Sequence, residues 1–157
     1  MANLFKENLT LALQTRRNFQ SILESSSIAE LNAIPIGFNN NVVWNIGHIV
    51  ATMDILFYTL NGLIPKLDSS FIESYRKGTK PAEMFNQAMV DTLNLNLISQ
   101  LERIEIDVKE GIFPQNLPKA YTTSYNFELK TLDDIIRFNQ VHEALHMGIV
   151  MSLRKFV

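Results

Sequence analysis

Apolar residues recur at steps near three or four through the start of the chain, at Leu4, Leu11, Phe19, Ile22 and Leu23, with polar residues between them. That period lines one face of a helix and predicts a first helix over 3–25, ended by "ESSS". The turn-rich piece "SIAELNAIPIGFNNN" follows; it predicts one helical turn at 28–31, before Pro35 and Gly37 break the chain. A second helix, "VVWNIGHIVATMDILFYTLNG", starts at a cap supplied by Asn40 or Asn41 and stops at Asn61 and Gly62. It is apolar around most of its circumference, which predicts burial.

The connector "GLIPKLDSSFIESYRKGTKP" mixes polar and turn residues with Phe71, Ile72 and Tyr75, so a short packed helix and a loop are expected. Connectors this long in compact domains often serve as functional lids. A third helix falls within 82–110; its strongest part, "MVDTLNLNLISQLERIEIDVKEG", closes at Gly111. "TLNLNLI" also alternates, so a strand at 92–98 competes, but the length of the periodic segment and its "KEG" ending favour helix. Residues 112–130, with Pro114, Pro118 and the run "YTTSYNFEL", predict a loop. Thr131 then caps a fourth helix, with Asp133 and Asp134 in its first turn and Arg154 and Lys155 at its end, as the helix dipole favours. The expectation is a single all-α domain over 1–157, a four-helix bundle with a long connector between helices 2 and 3.

Composition narrows the function classes. The 157 residues suffice to bury a real core. Net charge is −2 with the basic residues scattered, so no stripe suits a phosphate backbone and nucleic acid is disfavoured as a partner. The absence of cysteine removes disulfides, thiolate metal sites and a cysteine nucleophile. The start, "MANLFKENLTLALQTRRNF", carries charges where a signal peptide would be apolar. No run approaches the roughly 20 apolar residues that span a bilayer. A cytoplasmic protein with no membrane partner is expected.

Candidate chemistry sits in the histidines. "HEALH" places His142 and His146 one turn apart, on or beside the face formed by Ile135, Phe138, Leu145, Ile149 and Leu153. His48, the third and last histidine, lies mid-helix on a face with Trp44, Ala51, Ile55 and Tyr58. If the two helices are neighbours, three neutral imidazoles can converge and leave a fourth metal position open. The zinc-protease reading of H-E-x-x-H fares worse. The eleven residues after His146 hold no His, Asp or Glu to act as third ligand, and no clear edge strand is available for a peptide. Glu143 points roughly 100° around the helix from His142, as a solvated carboxylate or a support behind the metal ligands. Two histidines a turn apart also occur by chance as surface or core residues.

"NNNVVWNIGHIVATMDILFYTLNGL" and "FNQVHEALHMGIVMSLRK" together resemble the DinB-like (DinB/YfiT-like) superfamily of metal-binding four-helix bundles, whose hallmark is one His in the second helix and an H-x-x-x-H pair in the last. Gly148 fits the family's frequent H-x-x-x-H-x-G, and "SYRKGTKP" resembles a segment of one branch. The resemblance spans nearly the whole chain. It implies that His48, His142 and His146 ligate one divalent metal with water in the open position. Zinc or nickel suits imidazole best, with iron and manganese also compatible.

The resemblance further implies a thiol-dependent S-transferase or isomerase acting on a small-molecule substrate with a low-molecular-weight thiol. A metal with an open position lowers a thiol's pKa. Metal-assisted hydrolysis uses the same ligands. A non-catalytic, metal-stabilised dimerisation module is the reading from a different class, since the family often forms homodimers. No catalytic residue beyond the ligands is legible. Tyr121, Tyr125 and Asn126 in the loop, and Arg76, Lys77 and Lys80 in the connector, are candidates to roof the site, the basic trio for a carboxylate. Asn45 is a candidate partner for a metal-bound imidazole, and Trp44 reads as core. "RKGTK" lacks the spaced glycines and preceding strand of a P-loop.

Overall fold

A computed structural model describes the backbone of residues 2–157 and the side chains from residue 8 onward; Leu4, named above, lies outside the described side chains. The order is α1 (Ala2–Ser25), α2 (Ile28–Asn32), α3 (Val42–Phe57), a 3-10 turn (Thr59–Asn61), α4 (Ser69–Tyr75), α5 (Gln87–Lys109), β1 (Asn116–Thr122), β2 (Glu128–Thr131) and α6 (Leu132–Leu153). The protein is thus mostly helical with one small two-stranded sheet. α1 lies against α5 and α6, and α3 lies against the same two helices.

Local chemistry explains the helix ends. The Asn41 side chain accepts from the Trp44 N–H and starts α3. Gly62, at φ 74°, closes the 3-10 turn that follows it. Thr131 and Asp134 form a reciprocal capping box at the start of α6. The segment at 92–98 is helical, inside α5. On α1 the buried stripe is Ala12, Arg16, Phe19, Ile22 and Leu23. Leu11 is 58% exposed, because Ala12, one residue further round, takes the inward position.

The expectation that no segment could span a bilayer needs correction. Val42–Asn61 is long and apolar enough by length and composition, but 83% of its apolar window is buried within the protein. It is the core helix, against which Phe19, Leu93, Leu97 and Val150 pack.

The connector is pinned to α3 at two places. The buried Asp54 carboxylate accepts from the Lys66 and Leu67 N–H groups. Further along, the Tyr75 ring lies over Gly47, where a Cβ would run into it.

Residues 112–130 are not the loop that the sequence suggests. They contain an antiparallel hairpin, β1 against β2, with an irregular register between Asn116 and Tyr121. The turn is held by the Thr123 side chain, which accepts from Tyr125 and Phe127 N–H, and by Asn126 at φ 57°. β1 buries Leu117 alone of its seven residues, so it shows no alternation for a sequence reader to find.

Candidate metal centre

The contact between α3 and α6 brings His48 to His142 and His146. The ring centroids lie 5.1 Å (His48–His142), 4.8 Å (His48–His146) and 4.6 Å (His142–His146) apart. One nitrogen from each ring falls within 4.8 Å of the other two. All three side chains are buried.

Hydrogen bonds aim two of the rings. His48 Nδ1 is 2.6 Å from the Tyr75 carbonyl oxygen, which can only accept, so Nδ1 carries the proton and Nε2 presents a lone pair. His146 Nδ1 donates to Asn45 Oδ1 at 2.9 Å. The Asn45 amide is fixed in that orientation because its Nδ2 donates to the Asn41 carbonyl. The third ring differs: His142 Nε2 is 3.2 Å from His48 Nε2, while its buried Nδ1 has no partner. Trp44 stacks on His48 (4.9 Å, 9°) and donates its indole N–H to Thr79, so it is a core residue that backs the His48 ring.

Burial sets the charge state. It pushes the His142 pKa down to about 3, with His146, His48 and Arg16 adding to the effect. His146 is pushed down to about 4 by burial and then by His48. His48 is lowered by burial against the opposing bond to Tyr75. Neutral imidazoles are the form that binds metal. Three buried, neutral rings, each with a nitrogen converging on the others, fit a divalent cation, and together they could hold one.

A cavity of about 210 Å³ opens on all three rings; Thr52, Leu60, Lys77, Tyr121, Tyr125 and Phe138 are among its walls. The hairpin therefore contributes the roof. Asn126 does not line it. Arg76 turns to Glu73, 2.6 Å away and exposed, and Lys80 faces a separate cavity of about 500 Å³ with Phe71, Tyr75 and Phe85. Leu145, expected on the apolar inner face, stands 44% exposed at the mouth.

Glu143 overturns the solvated reading. It is 1% exposed, and its carboxylate accepts from Arg16 Nη2 at 2.7 Å, from Arg16 Nε at 3.0 Å and from Asn139 Nδ2 at 3.0 Å. It bonds no imidazole and does not line the cavity, so it cannot serve as a protease base there. Arg16, wholly buried, also reaches Gln100, whose amide donates to the Val50 carbonyl. The sequence reading missed Arg16, Gln100, Gly47 and Tyr75. The available signals were Arg16 in phase with Ala12, Phe19 and Leu23, and a glycine inside an apolar helix.

A comparison with curated proteins found no match. A family profile described as the DinB superfamily matches residues 12–150. That span runs from α1 almost to the end of α6 and takes in all three histidines and the elements that bring them together: the chain belongs to the DinB superfamily.

Proposed function

We propose that this protein is a four-helix bundle of the DinB type that binds one divalent metal ion through His48, His142 and His146, and that it is a metal-dependent thiol transferase acting on a small molecule. The observation that carries the reading is the cavity above the three imidazoles, which no other His, Asp or Glu lines among the described residues. A structural site would be closed by a fourth protein ligand, whereas an open position suits reactive chemistry. A divalent ion held there would lower the pKa of a thiol bound beside it. Among the described residues no carboxylate lines the cavity to act as a general base on water, which leans the reading toward transfer, although hydrolysis by a metal-bound water would use the same three ligands.

The chain's own residues would do the rest. Tyr75 and Asn45 hold the His48 and His146 rings in one orientation and one tautomer. Phe138, Leu56 and Leu60 would give the cavity an apolar wall, and Tyr121 and Tyr125 would bring hydroxyl-bearing side chains to its lining.

The test is metal content per chain by elemental mass spectrometry on untagged protein, since a histidine tag carries nickel, with His48→Ala beside it. Near one metal per chain in the wild type, lost in the variant, supports the reading. A metal-free wild type that resists reloading would reduce the cluster to core histidines.

A further inference from the structure

The cavity over the histidines carries one step more, which rests on the reading just given. Apart from the imidazoles, Lys77 is the one ionisable cation lining it among the described residues, and no described Asp or Glu does. Lys77 is the member of the basic trio left uncommitted. Arg76 is paired with Glu73 and Lys80 faces the other cavity, while Lys77 has no ion pair among the described residues. The nearest carboxylate in sequence to the ligands, Glu143, is turned to Arg16. A divalent ion among neutral imidazoles, with Lys77 at the wall, would make the cavity strongly positive, with no anion among the described lining residues to offset it. Such a cavity selects anions by charge complementarity. The remaining walls include Ile55, Leu56, Leu60 and Phe138, which suit an apolar body. One lysine is a point charge rather than a multidentate phosphate cradle, which favours a carboxylate.

We propose that Lys77 is a specificity-determining residue, and that the ligand taken at the open position is a small thiol carrying a carboxylate that Lys77 pairs with. A volume of about 210 Å³ keeps that ligand small.

The test uses cobalt-loaded, untagged protein, with the visible spectrum as readout of thiol binding. Matched pairs of ω-mercaptocarboxylates and ω-mercaptoalcohols with chains of two to six carbons are titrated into the wild type, Lys77→Gln and Lys77→Arg. At the best-fitting length the wild type should prefer the carboxylate by about fivefold, the size of a good exposed ion pair. Lys77→Gln should erase that preference and Lys77→Arg should keep most of it, with metal content unchanged. Comparing the ratio between proteins cancels the intrinsic acidity of each thiol. Equal ratios in the wild type and Lys77→Gln at every length would overturn the role of Lys77 while the open site stands. A spectrum that no thiol alters would overturn the open-site reading, and this inference with it.

Discussion

Glu143 turns its carboxylate to the Arg16 guanidinium, 2.7 Å away in the interior, while the residue before it, His142, faces His48 from a different face of α6. The two side chains fix the rotation of one helix from two directions. Arg16 sits on α1, so the helix that carries two of the three imidazoles is keyed to a helix that carries none.

Removing one partner of that bridge leaves a buried charge unpaired. Arg16→Ala should therefore destabilise the protein by about 3–5 kcal/mol in urea unfolding. Replacing both partners, as in Arg16→Met with Glu143→Leu, should recover most of the loss, because the apolar pair carries no desolvation cost. A double variant as unstable as the single one would show that the bridge does more than satisfy its own charges.

Metal should stabilise the folded state by mass action. Zinc at a hundred times its dissociation constant should add about 2.7 kcal/mol, raising the melting temperature of the wild type but not of His146→Ala. A chelator should reverse the shift. Equal shifts in both proteins would place the binding elsewhere.

Gly47→Ala should push the Tyr75 ring off α3, because the added Cβ meets that ring. Overpacking of this kind costs about 1–3 kcal/mol. The Tyr75 carbonyl that accepts from His48 Nδ1 moves with the chain, so zinc affinity should fall too. Competition with a chromogenic chelator measures it. Full affinity in a destabilised Gly47→Ala protein would detach Tyr75 from the metal site.

The ends of the long helices were legible because caps are local. Asn41, Gly62 and Thr131 act within a few residues of themselves. The hairpin was not legible, since its pairing depends on strands whose residues are mostly exposed, one of them a proline, Pro118. At the site, spacing placed His142 and His146 on one face, but their meeting with His48 depends on α3 lying beside α6. Spacing also turned Glu143 away from the histidines. Whether it then met water or a partner depended on Arg16, 127 positions away along the chain.

Acid should weaken the metal-free protein through the same histidines. The folded-state pKa of His142 is pushed down to about 3, below the ordinary value near 6.5. Above pH 6.5 the ring is neutral in both states and contributes nothing to the pH dependence. As pH falls below 6.5 the unfolded chain takes up a proton that the folded chain refuses, so stability drops, by up to about 1.4 kcal/mol per pH unit. Burial holds the ring neutral, helped by His146, His48 and Arg16, none of which offers a negative charge. Asp54, raised by burial, acts with the opposite sign as pH climbs past its ordinary value of 3.8, so raw stability curves mix the two. Subtracting the metal-free His142→Gln protein isolates the ring. The wild-type advantage in urea unfolding should shrink steadily from pH 6.5 to pH 4.5, whereas a constant difference would mean that His142 protonates in place and is not held neutral by its surroundings.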